Sequence, residues 1–276
     1  MLQRQLADMK RNISMSTRMD GQVTDSVFAQ EMGVLHHELQ NWIVASFRRA
    51  KADITPDELC ARVASISDEP SLRHLRPMYE TFTPSVKLAI YQATAVGVLM
   101  EIFDNKSLYG LPEGLEWRQP LRQAVNAMEK VLAPAAHNRW RSVTLDVVRQ
   151  SEGMREYVAE ASKAIAERIC SVLTVVSDIQ RSEGRFYALL TIVKRAIDLQ
   201  HLFRVQRARY QFDLPSPADE FYSEFMENID VDMESSADMI PPVRCATFPS
   251  VMKIGDEFGD NVHLTNVIVK AMVLCS

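Results

Sequence analysis

The stretch Val86-Lys87-Leu88-Ala89-Ile90-Tyr91-Gln92-Ala93-Thr94-Ala95-Val96-Gly97-Val98-Leu99-Met100-Glu101-Ile102-Phe103 decides the fold. Thr83-Pro84-Ser85 punctuates the chain before it. A strand bounded by turn residues runs roughly four to eight residues, so this length selects a helix. The helix is apolar on most of its circumference, and such a helix is stable in water only when other helices cover it. The expected architecture is therefore mainly α, a multi-helix bundle built around residues 86–103.

Upstream, Val27, Phe28, Met32, Leu35, Leu39, Trp42, Ile43 and Phe47 recur with helical period behind the Asp20-Gly21 break. They predict a helix that Thr24 or Asp25 caps and that runs to Lys51. Thr55-Pro56-Asp57-Glu58 combines a cap residue, a proline at the first helical position and acids at the positive helix end, and opens a short helix to Ile66. Downstream, Tyr109-Gly110-Leu111-Pro112-Glu113-Gly114 reads as a tight loop, because it lacks the Lys and the Ser or Thr of a phosphate-binding loop. Helices are predicted over 118–132, 135–150, 155–176 and 183–210, with the short connections that antiparallel neighbours need.

The character changes after Leu214. Residues 214–242 carry Pro215, Pro217, Pro241 and Pro242 around eight acidic side chains and no Lys or Arg, the composition of a self-repelling linker that Phe221, Tyr222 and Phe225 could pin down. Beyond it, Val243–Phe248 and Val262–Leu274 are rich in β-branched residues, with turn chemistry at Gly255–Asn261. They predict a small C-terminal antiparallel β-hairpin, which must pack on the helical body because an isolated hairpin is marginal in water. The expected organisation is a coiled-coil-like N-terminal helix over 1–20, a helical bundle over 21–212, an acidic linker over 213–242 and the hairpin over 243–276. The first of these rests on Leu2, Leu6, Met9 and Ile13, whose alternating spacings of four and three place them on one narrow stripe suited to self-association.

Composition narrows the function. Hydrophobic residues make up 47% and charged residues 24%, an ordinary globular balance, and only nine glycines disfavour a turn-rich sandwich or barrel. A net charge of −5 argues against nucleic acid as the partner. The polar N-terminus and the lack of an unbroken apolar run of membrane length point to no membrane partner and to a place in the cytoplasm or nucleus. Cys60, Cys170, Cys245 and Cys275 form no CxxC pair, which fits a reducing compartment.

The chemical constellations are sparse. Asp256, Glu257 and Asp260 supply several oxygens from one turn but lack the spacing of an EF-hand. Cys245 and His263 could face each other as thiol and base on paired strands, although no nucleophile signature surrounds the cysteine, and a strand cysteine is more often a buried hydrophobe. His36-His37-Glu38 cannot supply the two histidines one turn apart of a zinc helix, and Glu156, Glu160 and Glu167 lack di-iron histidine partners. No cofactor and no metal are expected. Lys194, Arg195, Arg204, Arg207 and Arg209 make the late helix basic, either as an anion or nucleic-acid patch or as the internal partner of the acidic segment 219–238; internal pairing costs less ordering and is preferred.

Several segments resemble a family of uncharacterised proteins of filamentous ascomycete fungi, in which coiled-coil or low-complexity sequence precedes a C-terminal domain. They are Trp140–Asp146, Leu202–Ala208, Cys245–Pro249 with Lys253, Gly255-Asp256-Glu257 and Gly259-Asp260, then Asn266–Ala271 with Val273–Cys275. The resemblance spans the chain from residue 24 onward and implies no activity and no catalytic residue. Ile254 stands where the family has a basic or small residue. The reading is a non-enzymatic interaction or scaffold module that binds another protein. Arg204, Arg207, Arg209, Lys253, Asp256, Glu257 and Asp260 are its candidate binding residues, and the alternatives are a cysteine- or metal-dependent enzyme using the C-terminal hairpin and nucleic-acid or anion binding through the basic helix 194–209.

Overall fold

The structure, a computed structural model, describes residues 22–51, 54–66, 75–230 and 242–275. The expected coiled-coil-like stripe over 1–20 lies outside them. Eight α-helices are present among the described residues: α1 (Asp25–Phe47), α2 (Pro56–Ala64), α3 (Arg76–Glu80), α4 (Lys87–Asp104), α5 (Arg118–Val131), α6 (Pro134–Arg149), α7 (Met154–Ser177) and α8 (Glu183–Arg204). The mainly α reading therefore holds.

Helix α4 is the hub. Every residue from Ile90 to Met100 is buried, followed by Ile102 and Phe103. Two of its polar groups find partners inside: the Gln92 amide donates to the Thr247 carbonyl at 3.1 Å, and the Thr94 and Tyr79 hydroxyls pair at 2.8 Å. Pro84–Asp104 is long and apolar enough to cross a membrane, with a mean hydropathy of 1.4 over its best window, yet 72% of that window is buried inside the protein. Mean hydropathy finds this segment where a search for an unbroken apolar run does not, because Lys87, Gln92 and Glu101 interrupt the run.

Helix α1 turns Phe28, Met32, Leu35, Leu39, Trp42, Ile43 and Phe47 inward, the predicted face. The Trp42 indole N–H donates to the Arg185 carbonyl at 2.9 Å, tying α1 to the start of α8. Helix α2 starts as its sequence dictates: Thr55 Oγ1 accepts from the Glu58 N–H and Pro56 occupies the first turn. An aromatic cluster joins the two halves of the molecule. Phe28 stacks on Phe203 at 4.0 Å, Tyr210 lies 4.9 Å from Phe203, and Phe103 lies 4.7 Å from Phe212. Each such ring, fully buried, contributes about 1.5–3 kcal/mol.

The C-terminal region is two three-stranded sheets rather than a lone hairpin. β1 (Arg209–Asp213), β4 (Ser250–Ile254) and β5 (Thr265–Val269) form one in the order β1-β4-β5, all antiparallel. β2 (Met226–Asn228), β6 (Ala271–Cys275) and β3 (Val243–Phe248) form the other in the order β2-β6-β3, with β2 parallel to β6. The pairing runs from Ile254↔Thr265 through Val251↔Val269 and Phe248↔Met272 to Val243↔Cys275. The two arms of the expected hairpin thus exist, but each changes sheet at a single residue, Pro249 or Lys270. Proline has no N–H to give a ladder, so it suits the corner.

Two further strands are recruited from segments read otherwise. Helix α8 ends at Arg204 and not at Tyr210, and β1 follows at once, with Tyr210 and Phe212 alternating into the core. β2 lies inside the stretch expected to be a linker, where Phe221 packs on the apolar cluster beneath it and the Phe225 carbonyl accepts from the Ala271 N–H. Both extra strands satisfy edges that a two-stranded hairpin would leave open.

Candidate functional site

Three of the residues singled out by sequence, Arg204, Arg207 and Arg209, lie where α8 ends. Its last carbonyls have no intrahelical donor and carry the negative end of the helix dipole, so they call for a cation. Arg141 of α6 supplies it, donating to the carbonyls of Arg204 at 2.9 Å, Gln206 at 2.8 Å and Arg207 at 3.2 Å. Ser142 Oγ donates to the Val205 carbonyl at 2.5 Å. Arg204 serves α4 in the same way, donating to the Phe103 carbonyl at 2.6 Å. Burial lowers both guanidinium groups to about 10, with Arg209 adding repulsion at Arg141, and both remain cations at neutral pH.

The chain entering α1 is fastened to the same turn. The Val23 N–H donates to Gln206 Oε1 at 2.9 Å, and the Arg207 N–H donates to Gln22 Oε1 at 3.1 Å. Lys253 of β4, 13% exposed, pairs with Asp25 at 2.9 Å, so the first turn of α1 and the hairpin are also joined. Arg209 then reaches outward, donating to Asn138 Oδ1 at 3.1 Å and to Glu129 at 2.8 Å. That ion pair, first through its hydrogen bond, holds the Glu129 carboxyl below the usual range. Asn138 closes the circuit by donating to the Gly259 carbonyl at 2.7 Å. Gly259 has φ +77°, and a Cβ on it would lie 2.7 Å from Asn138 Cβ and 2.8 Å from the Arg207 carbonyl. Only glycine fits there.

The loop 255–264, the hairpin tip, is built by Asp256. Its carboxylate accepts the backbone N–H groups of Phe258 and Asp260 at 2.9 Å and the Asn261 amide at 2.8 Å. These bonds, the one from Asp260 foremost, hold Asp256 below its ordinary range, and they direct its oxygens into the turn. Glu257 and Asp260 are exposed on either side of Phe258. Among the described residues no three His, Cys, Asp or Glu side chains converge as a metal site would require.

The predicted residues therefore separate into two groups. Arg204 and Arg209 are structural donors to α4, α5 and α6, and residues 219–230, the described part of the acidic segment, are not among the partners found for these two. Arg195 likewise pairs with Glu31 and Glu38 of α1. Their partners are carbonyls and acids from distant elements, which charge runs in a sequence do not reveal. Cys245 and His263 do not meet: Cys245 is wholly buried opposite Leu274, and His263 is exposed in the tip. Burial pushes the Cys245 thiol up to about 12, so it stays protonated. His36 is half-buried against the Phe248 ring at 5.0 Å and lowered to about 4 by desolvation and by His37.

Several exposed apolar side chains that sequence reasoning missed stand on the elements this polar circuit joins. Phe258 is 60% exposed, Val262 44% and Leu264 51% on the tip, while Val131 is 83% and Leu132 38% exposed in the α5–α6 turn. The Arg209–Glu129, Arg209–Asn138 and Asn138–Gly259 bonds link the hairpin tip and β1 to α5 and α6, the two helices that flank that turn. Comparisons with protein-family models, with curated proteins and with solved structures find no match. The geometry of the joint is thus the basis for any reading of function. Asn138 carries no sequence signal.

Proposed function

We propose that this chain is a protein-binding module whose contact surface is the hairpin tip together with the α5–α6 turn. One observation carries the reading: Phe258, Val262, Leu264, Val131 and Leu132 stand exposed on two neighbouring loops that a network of charged hydrogen bonds holds in fixed relation. Single exposed apolar residues are ordinary, but an apolar group rimmed by charge, here Asp260, Glu257 and Glu129, has the composition of an interface core and its rim. A pre-ordered surface also loses little conformational freedom when a partner arrives. Asp256, Asn138 and Gly259 act in this reading as the frame, and Glu257 and Asp260 as rim charges that set partner choice and association rate.

The test is capture of partners by the full chain beside Phe258→Asp and Leu264→Asp, with Tyr187→Asp as control at another exposed aromatic, 63% open on α8. Any recovered protein is then purified and titrated. The expected result is a discrete partner whose binding weakens by about tenfold or more for each tip substitution, the size seen for interface anchors, and is unchanged in the control. Equal binding by all variants would remove the tip from the reading.

A further inference from the structure

His137 is a buried titratable group that the joint leaves partly unbonded. It lies in the first turn of α6 and is only 2% exposed, and its Nδ1 has no hydrogen-bond partner among the described residues. The charged groups that face it come from three elements. Arg141 stands one turn further along α6, Arg209 of β1 bonds the neighbouring Asn138, and Glu129 of α5 is held by Arg209 at 2.8 Å. Two guanidinium groups thus face the ring against one carboxylate, and the positive end of the α6 dipole adds to them. A neutral imidazole tolerates this place. An imidazolium is a donor at both ring nitrogens, so it brings a buried N–H without an acceptor and a third positive charge into the same space.

We propose that His137 is an acid latch: when it takes up a proton, the last turns of α5 leave the body and the α5–α6 turn is released. This deepens the proposed function, resting on it for the role of that turn but not for the latch itself. The facing carboxylate, Glu129, already serves Arg209, so an imidazolium must either compete for it or reach water. Both routes loosen the Arg209–Glu129 bond that ties the end of α5 to β1. Little else holds that end. The one buried residue of α5 is Arg118 at its start, bonded to Glu113 and to the Leu111 carbonyl, whereas Leu121, Ala124, Val125 and Met128 are half-buried. Helix α5 can therefore pivot at Arg118 without opening the core around α4. Linkage sets the direction. Burial, and after it Arg209, lowers His137 in the closed form, so the open form binds the proton first, near the free value of about 6.5. Closure is complete above that value, and opening rises by up to about tenfold per pH unit below it. With the turn released, Val131 and Leu132 no longer share a fixed frame with the tip, and partner binding weakens in the same window.

The experiment is amide hydrogen exchange on the full chain from about pH 7.5 to about pH 5.5, corrected for intrinsic rates. Residues 124–132 report the latch and residues 90–103 the core. His137→Gln is the variant and His36→Gln the control. In the natural chain and in the control, exchange at 124–132 is expected to quicken severalfold below about pH 6.5 while 90–103 stays unchanged. In His137→Gln, 124–132 is expected to stay flat. The imidazole titration of His137, followed by NMR in the natural chain, should fall in step with that exchange, and it keeps the test decisive should His137→Gln fail to fold. Exchange at 124–132 that ignores pH, that responds equally in His137→Gln, or that rises together with 90–103 overturns the proposal. So does an imidazole that titrates at or above about 6.5. The outcome is separable from the functional reading. If exchange responds while Phe258→Asp binds normally, only the contact surface is wrong. If exchange ignores pH while Phe258→Asp loses its partner, only the latch is wrong.

Discussion

Helices α4 and α5 have similar lengths and opposite relations to the body. Helix α4 buries a continuous run from Ile90 to Met100, whereas α5 buries only Arg118. The apolar stripe of α5, Leu121, Ala124, Val125 and Met128, is half-buried. Its anchors are instead polar: Arg118 pairs with Glu113 at 2.8 Å and donates to the Leu111 carbonyl, and Glu129 receives Arg209. One helix is held by exclusion of water and the other by directed bonds. The first kind of attachment depends on volume, the second on geometry, and substitutions separate them.

The largest effect belongs to volume. Phe203→Ala removes the ring that stacks on Phe28 and touches Tyr210 and Phe212, and is expected to cost about 3–5 kcal/mol in urea unfolding. Arg141→Ala is next: it strips the donors from three carbonyls at the end of α8 and is expected to cost about 2–3 kcal/mol, a loss that Arg141→Lys does not restore because an ammonium lacks the planar fork. If Arg141→Lys were as stable as the natural chain, the case for directed bonds would fail. Gly259→Ala forces a Cβ into Asn138 and strains a left-handed residue, with an expected cost of about 1–3 kcal/mol and faster exchange across the tip.

A pH titration sharpens the same contrast on the core side. His36 is lowered to about 4 in the folded chain, so the unfolded chain binds its proton first, near pH 6.5. Stability is then complete above about 6.5 and declines as pH falls toward 4, and His36→Gln flattens that decline in urea midpoints measured across the window. His137 and His201, also lowered chiefly by burial, act in the same direction. The smallest effect is expected on the outer face of α6, where Val143→Ser and Val147→Ser, at 57% and 67% exposure, should change stability by no more than about 0.5 kcal/mol.

Volume was legible in the sequence and geometry was not. The stripe of α1, the start of α2 at Thr55-Pro56 and the all-round burial of α4 follow from residue type and period alone, because exclusion of water acts on every residue without naming a partner. The end of α8 depends on Arg141, sixty-three positions earlier than Arg204, and nothing local at Arg204–Tyr210 announces it except the alternation of Tyr210 and Phe212. The corners at Pro249 and Lys270 each occupy one residue, too short a signal to divide a β-rich run into two strands. The tip was recognisable as turn chemistry from Gly255 to Asn261, but its place against Asn138 and Arg207 belongs to the tertiary fold.

The bond between Asp25 and Lys253 spans 228 positions, and that between Val23 and Gln206 spans 183. A chain synthesised from its N-terminus folds its early helices while the later ones are still unmade. Helices α1 and α4 can therefore meet on the nascent chain long before α8, β1 and the hairpin arrive to fix residues 22–25. During that interval the Asp25 carboxylate lacks its ammonium and the first turn of α1 lacks its bracket. The joint at the end of α8 is thus completed only once the chain has been made as far as the hairpin tip.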